Sequence, residues 1–139
     1  MIMTEKKLIF KYSKHRKLWA AMPEYILQEA KTAKREESMQ VIVCRAKIRA
    51  FLDLFPNELY ASYECFACQY TKEYTELYCP VVREKDCGCC PLDWGTNPPC
   101  WSYNRLESLL FFGSVDEEYM RYLCRCIYNL PVKAGVEIE

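Results

Sequence analysis

Histidine is almost absent from this chain, since His15 is the only one among its 139 residues. A catalytic cysteine–histidine pair would have to use this residue, and a zinc nuclease of the His-Asn-His type needs more histidines than the chain has. The chain also has no GxGxxG motif and no P-loop, the glycine-rich signatures of dinucleotide and triphosphate binding. We therefore expect a protein that is not an enzyme and has no small-molecule substrate.

Long hydrophobic runs are missing as well. Runs such as residues 41–44 and 109–112 are far shorter than the roughly 20 apolar residues that cross a bilayer. The N-terminal residues lack the apolar stretch of a signal peptide. We expect no membrane association and a cytoplasmic location, where disulfides do not persist and cysteines serve as metal ligands or buried thiols.

The chain has no excess of one charge, because 19 Lys and Arg balance 19 Asp and Glu. The charges are nevertheless unevenly spread: residues 1–49 carry 12 basic and 5 acidic side chains, and residues 50–139 carry 7 and 14. A basic half and an acidic half favour binding to oppositely charged partners, nucleic acid included. The same pattern also arises when two halves of a fold face each other.

The length predicts one domain, residues 1–139, made of three parts. Residues 1–56 and 102–139 have apolar side chains spaced by three and four, which is typical of amphipathic helices. Residues 57–101 hold seven of the ten cysteines and four of the seven prolines. We expect a mainly α fold, a small helical domain with a zinc-organised irregular insert at 57–101, in which a short β-hairpin is possible.

The N-terminal part is expected to contain three helices. One begins at Ser13 and breaks near Pro23, where a second begins and continues to about Arg35. Ser38 caps the third helix, and Pro56 ends it. The apolar stripe of this third helix consists of Val41, Cys44, Ile48, Phe51 and Phe55.

The C-terminal part is expected to contain two helices. The first lies within residues 102–112 and has Gly113 as its C′ residue. Ser114 begins a capping box with Glu117, and Pro131 ends the second helix. The apolar face of this second helix consists of Val115, Tyr119, Tyr122, Leu123, Cys126, Ile127 and Leu130.

Two C-x-x-C pairs are the strongest chemical signal in the chain. Cys65 and Cys68 form the first pair, and Cys87 and Cys90 form the second, with 18 residues between them. This spacing is typical of a structural Zn²⁺ site, in which each pair supplies two thiolates to one tetrahedral ion. Four thiolates leave no open coordination position, so the predicted site is structural and not catalytic.

Other residues could replace a favoured ligand. These are Cys79, Cys89, Cys100 and His15. The apolar stripes instead place Cys44 and Cys126 in the core as buried thiols. Redox chemistry at a C-x-x-C pair is disfavoured, because neither pair is expected at the start of a helix that follows a strand, where the helix dipole would stabilise a thiolate.

Three segments together resemble a group of small phage-encoded, cysteine-rich zinc-knuckle proteins of largely unassigned function. The group has H-x-x-LW, CFAC-x-Y and C-x-x-CPL-x-W motifs. The matching residues are His15, Leu18, Trp19, Cys65, Phe66, Ala67, Cys68, Tyr70, Cys87, Cys90, Pro91, Leu92 and Trp94. The match covers about a third of the chain and implies a zinc-knuckle accessory protein of a phage, located in the host cytoplasm, with no known reaction.

The first functional hypothesis is a zinc-stabilised protein-binding module, such as an inhibitor of a host defence nuclease of the CRISPR type. Small phage accessory proteins often act by occluding a host or defence protein. The acidic residues Asp116, Glu117 and Glu118 could mimic DNA phosphates toward a basic channel. Exposed tyrosines near Tyr70, Tyr74 and Tyr78 are the other expected contact surface.

The alternative hypothesis is a zinc-stabilised nucleic-acid-binding or regulatory protein that uses the basic N-terminal half. Its phosphate contacts would come from Lys6, Lys7, Lys11, Lys14, Arg16 and Lys17. Such binding would depend steeply on salt concentration. The near-neutral overall charge is evidence against this alternative.

Overall fold

The computed structural model describes residues 8–58, 65–78, 90–98, 100–111 and 113–139. The helices in these ranges are α1 (Tyr12–Thr32), α2 (Met39–Leu54), α3 (Phe66–Tyr78), α4 (Trp101–Glu107) and α5 (Glu117–Tyr128). Within the same ranges, β structure is limited to isolated bridges. The prediction of a mainly helical domain is confirmed.

Helix α1 continues through Pro23, so the predicted break at this residue is wrong. Proline removes the hydrogen bond that residue 23 would donate to the Trp19 carbonyl, at a cost of about 3 kcal/mol. Trp19, Met22 and Pro23 are all buried, and α1 lies against both α2 and α5. Burial of this apolar face therefore outweighs the lost hydrogen bond.

Helix α2 begins where the sequence predicts, because the Ser38 side chain accepts a hydrogen bond from the Val41 N–H at 3.3 Å. The predicted apolar stripe is rotated from the observed one. Val41 is exposed and Cys44 is half-buried. The buried residues are Met39, Ile42, Val43, Ala46, Lys47, Ala50 and Phe51. The stripe differs because α2 contacts α1 and α4 at once, which widens and shifts its buried face.

Replacing Ser38 with alanine is expected to lower the free energy of unfolding by about 1 kcal/mol, because the Val41 N–H loses its cap. Urea unfolding followed by circular dichroism measures this change. Ser38→Asp is the matched control and should unfold like the unmodified chain, since aspartate caps equally well. Equal stability of the alanine and aspartate variants would contradict the capping role.

The insert at 57–101 is not irregular throughout, because it contains the 13-residue helix α3. Its inward residues Phe66, Ala67, Tyr70, Thr71 and Thr75 follow a spacing of three and four. The cysteine pattern obscured this periodicity. No hairpin occurs in the part of the insert that the structure describes, and residues 59–64 and 79–89 lie outside it.

The C-terminal helices are shorter than predicted. Helix α4 ends at Glu107, well before Gly113. Helix α5 is capped by Asp116, whose carboxylate accepts a hydrogen bond from the Tyr119 N–H at 3.1 Å, so Ser114 is not its cap. Aspartate caps a helix as well as serine does. Because Asp116 is the cap, α5 begins at Glu117 and not directly after Ser114.

The buried face of α5 is also offset from the predicted stripe. Met120, Leu123, Cys124 and Ile127 are buried there. Cys124 is therefore the core thiol of this helix, whereas Cys126 is half-buried. The offset follows from the position of α5, which contacts both α1 and α4 and so buries a face between the two.

The segment after α5 ties distant parts of the chain together. Phe10 forms a parallel bridge with Ile138. The Asp93 N–H donates to the Pro131 carbonyl and the Lys133 N–H donates to the Pro91 carbonyl, both at 2.8 Å. These bonds fix the residues that directly follow Cys90.

Candidate metal centre

Three of the four predicted zinc ligands lie in the described residues. Cys65 directly precedes α3, and Cys68 is in its first turn. Cys90 is buried and directly precedes Pro91, whose carbonyl is bonded to the segment after α5. Cys87 lies outside the described residues, as do Cys79 and Cys89. None of the seven cysteines within the described ranges is in a disulfide.

Cys65 and Cys68 adopt the local geometry of a metal-binding knuckle. The Cys65 carbonyl accepts the Gln69 N–H at 2.9 Å, which begins the helix. The Cys68 N–H donates to the Cys65 sulfur, and the two thiols are hydrogen-bonded to each other. A backbone N–H that points at a sulfur stabilises a thiolate, as a C-x-x-C zinc knuckle requires.

Cys100 joins this pair, although its sequence position gives no regular motif. Its thiol is hydrogen-bonded to that of Cys68, and Cys65 and Cys90 also lie within electrostatic reach. We call Cys65, Cys68, Cys90 and Cys100 the thiol cluster. Sequence reasoning treated Cys100 only as a substitute ligand, because the C-x₉-C spacing between Cys90 and Cys100 is not a standard one.

The backbone of Cys100 is strained. Its φ of 62° and ψ of 22° are left-handed, and it is the one non-glycine residue in the described ranges with positive φ. This conformation costs about 1–2 kcal/mol for a residue with a side chain. It directs the chain into α4 while Cys100 remains in contact with Cys68.

Cys65 and Cys100 hold their thiol protons in the absence of a cation. The hydrogen bond with Cys68, then burial, raises the pKa of both Cys65 and Cys100. A bound metal reverses this balance, because a coordinating thiol is deprotonated outright.

Lys47 is a buried positive charge close to the cluster. Its side chain is 4% exposed, and its ammonium donates to the Tyr103 hydroxyl and lies 4.5 Å from the Tyr103 ring centre. Its charge also lowers the pKa of Cys65, although the hydrogen bond with Cys68 and burial outweigh it. Glu107 is a neighbour of Lys47 and Tyr103, and burial raises the pKa of its carboxyl. The sequence reading missed Lys47, since the predicted stripe left it at the surface.

His15 is fully buried, and Cys68 lies within electrostatic reach of its ring. Its Nε2 lies 3.4 Å from the Ile127 carbonyl oxygen, and its Nδ1 has no hydrogen-bond partner among the described residues. Burial lowers the pKa of His15 to about 4, despite the raising effect of Ile127 and of Cys68. The imidazole is therefore neutral at pH 7.

Within the described ranges, no three His, Cys, Asp or Glu side chains are arranged so that they could hold a metal ion. The thiols are neighbours joined by hydrogen bonds, and they would have to turn toward a common centre to bind one ion. Zinc binding by Cys65, Cys68, Cys87 and Cys90 stays a prediction.

The start of α3 bears on the argument about redox chemistry. Cys65 lies at a helix N-terminus. The expectation concerned a helix that follows a strand, and residues 59–64, which precede Cys65, lie outside the described residues, so this expectation stays a prediction. In this structure the pKa of Cys65 is nevertheless raised, chiefly by its bond with Cys68, which is the opposite of an activated thiol.

The three tyrosines predicted to contact a partner differ in their exposure. Tyr70 is only 9% exposed and its ring lies edge-on to Phe10, so its expected exposure is wrong. Burial follows from its place on the inner face of α3. Tyr74 is half-buried and stacks beside Tyr70, and nothing is described of the Tyr78 side chain.

The acidic residues at the start of α5 are exposed. Asp116 caps the helix, Glu117 pairs with Arg121 at 2.9 Å, and Glu118 follows in the same turn. Arg121 also pairs with Glu24 at 2.7 Å. This corner is an exposed acidic surface next to one basic side chain.

Part of the basic N-terminal run is engaged within the fold. Lys11 pairs with Glu58 at 2.8 Å, and Lys14 pairs with the other oxygen of the same carboxylate. Arg16 lies over the Tyr128 ring at 4.3 Å, and Lys17 lies over Phe55 at 5.6 Å. These contacts hold the charged ends of these four side chains against the protein itself.

Comparison with protein-family models, curated proteins and solved structures finds no match to this chain. Function is inferred from its residues alone. Among the described helices, none combines the length and the apolar character needed to cross a membrane.

Proposed function

We propose that this chain is a non-enzymatic protein-binding module whose cysteines hold one structural zinc ion. The observation that supports this proposal is the thiol cluster, in which cysteines from α3, from the segment after residue 89 and from the start of α4 are neighbours. Sulfur donors in a four-ligand set favour Zn²⁺ over harder ions. A fully coordinated zinc has no position for substrate, so its role is to hold the surface in shape.

The zinc would join α3 to the segment that leads into α4. Helix α3 packs against α1, and its Phe66 also lies against Phe51 and Phe55 at the end of α2. A metal that links Cys68 with Cys90 and Cys100 adds an attachment to the segment that leads into α4. The proposed site thus stabilises the packing of α3 against this segment.

The proposed partner is a host or defence protein with a basic surface, such as a defence nuclease that this chain would inhibit in the host cytoplasm. Two features support this choice: the exposed acidic corner at 116–118, and the resemblance of three segments to phage zinc-knuckle proteins. Carboxylates spaced along one helical turn can occupy a channel built for phosphates.

Neutralising the acidic corner is expected to weaken partner binding by about 3- to 150-fold, since each of its three exposed charges facing a basic surface contributes about 0.2–1 kcal/mol. The variant is Asp116→Asn, Glu117→Gln and Glu118→Gln, in which asparagine preserves the helix cap. The measurement is capture of partners by the tagged protein from nuclease-treated host lysate, with bound proteins identified and quantified by mass spectrometry.

The matched control neutralises three exposed glutamates elsewhere, Glu36, Glu73 and Glu76, and should leave capture unchanged. Equal loss in both variants would contradict a specific role for the corner. Nucleic-acid binding by the basic N-terminal half is the alternative, and capture of nucleic acid alone from a parallel lysate without nuclease, with steep salt dependence, would favour it.

A further inference from the structure

We propose that Cys100, and not Cys87, completes the zinc site together with Cys65, Cys68 and Cys90. This inference rests on the proposed structural zinc and goes beyond it, because the regular C-x-x-C spacing points to Cys87 instead. The ligand set becomes C-x₂-C followed by C-x₉-C.

The first argument for this ligand set is the contacts between the thiols of the cluster. Cys68 is hydrogen-bonded to Cys65 on one side and to Cys100 on the other. Two sulfurs on one tetrahedral zinc lie about 3.8 Å apart, given a Zn–S distance of about 2.3 Å. Hydrogen-bonded thiols are neighbours but are not yet grouped around one centre, so binding of one ion would require their side chains to rotate toward it.

The second argument is the path of the chain between Cys90 and Cys100. Cys90 is 5% exposed and is held by the bonds of Pro91 and Asp93 to the segment after α5. From there the chain turns at Gly95, where φ is +63° and the N–H donates to the Asp93 carboxylate. It returns to the cluster at Cys100. Both ends of this loop therefore contribute a thiol to the same place.

The strain at Cys100 is consistent with a ligand role. A left-handed non-glycine residue persists where the surrounding structure stabilises it, and such residues concentrate at functional sites. Here the left-handed turn lets α4 start while Cys100 keeps its contact with Cys68. A zinc–sulfur bond would offset the cost of this conformation.

The charge of Lys47 is compatible with an anionic centre at this place. Zinc binding releases four thiol protons to solvent and leaves a centre of net charge −2, because four thiolates surround one Zn²⁺. Lys47 already faces the Tyr103 hydroxyl and the Glu107 carboxyl. It also lies within electrostatic reach of Cys65, so its charge would offset part of the negative charge of the centre.

The test compares single serine variants of the full-length chain, Cys100→Ser and Cys87→Ser, with Cys126→Ser as control. Cys126 is half-buried on α5, and its interacting neighbours are Tyr122 and Cys124. Zinc per chain is measured by atomic emission, and affinity by competition with a chelator. Cobalt substitution then counts thiolates through the sulfur-to-cobalt absorption band.

We expect Cys87→Ser and Cys126→Ser to bind one zinc with unchanged affinity and with the four-thiolate cobalt spectrum. Cys100→Ser should lose more than ~100-fold in affinity, since even partners outside the ligand shell are worth 10–100-fold. If Cys100→Ser does not fold, Cys100→His decides: a mixed spectrum of three thiolates and one imidazole supports the inference, and an unaltered four-thiolate spectrum overturns it.

Loss of zinc from Cys87→Ser together with retention by Cys100→Ser would overturn this ligand set and leave the structural zinc in place. An unmodified chain that binds no zinc would overturn the structural zinc itself. The two failures are therefore distinct.

Discussion

Serine at both Cys65 and Cys68 is expected to abolish zinc binding and to unfold the region around α3. Both ligand sets considered above include this pair, so the result does not depend on Cys100 or Cys87. Structural zinc in small modules contributes about 10–16 kcal/mol of apparent binding free energy, comparable to the roughly 5–15 kcal/mol stability of a whole domain. The measurements are zinc per chain, helical content by circular dichroism, and the thermal midpoint.

The matched control replaces two half-buried helical cysteines outside the cluster, Cys44 and Cys126, with serine. This variant should keep one zinc per chain and most of its helical content. Retention of one zinc by the Cys65 and Cys68 double variant would contradict the ligand assignment.

Acidification from pH 7.5 to pH 5 is expected to reduce the free energy of unfolding by about 2 kcal/mol through His15 alone. Burial lowers the pKa of His15 to about 4 in the folded protein, against about 6.5 when unfolded. Between these values the unfolded chain binds a proton that the folded chain does not, so stability falls as the pH falls through this window. Urea unfolding at the two pH values measures the effect.

The control for this prediction is His15→Gln, which keeps a polar side chain but cannot titrate. The variant can be less stable at every pH, since His15 packs against Phe10 and Tyr12. Between pH 7.5 and pH 5, the free energy of unfolding of this variant should fall by about 2 kcal/mol less than that of the unmodified protein. Equal losses in the two proteins would show that His15 does not cause the pH dependence.

Local signals predicted some features of the fold correctly. Ser38 marks the start of α2, and the spacing of apolar residues indicates a mainly helical domain. The acidic turn at 116–118 is exposed, as its charge suggests. These features depend on neighbours within one or two helical turns, which the sequence displays directly.

Other features failed because partners far along the chain decide them. Pro23 stays helical since its face of α1 is covered by other helices, and Tyr70 is buried because α3 folds onto Phe10. Cys124 replaces Cys126 in the core for the same kind of reason. Periodicity indicates that a helix has an apolar face, but a one-residue rotation of that face depends on where its neighbours lie.

For the candidate site, the sequence by itself determined the kind of chemistry: cysteines in C-x-x-C pairs, one histidine and no nucleotide-binding loop. It also placed Cys65 and Cys68 close together, since three residues span less than one helical turn. Only the tertiary structure brought Cys100 to Cys68 and buried Lys47 beside Cys65. Those contacts join residues 18 or more positions apart, and such proximity comes from the packing of helices and not from local spacing.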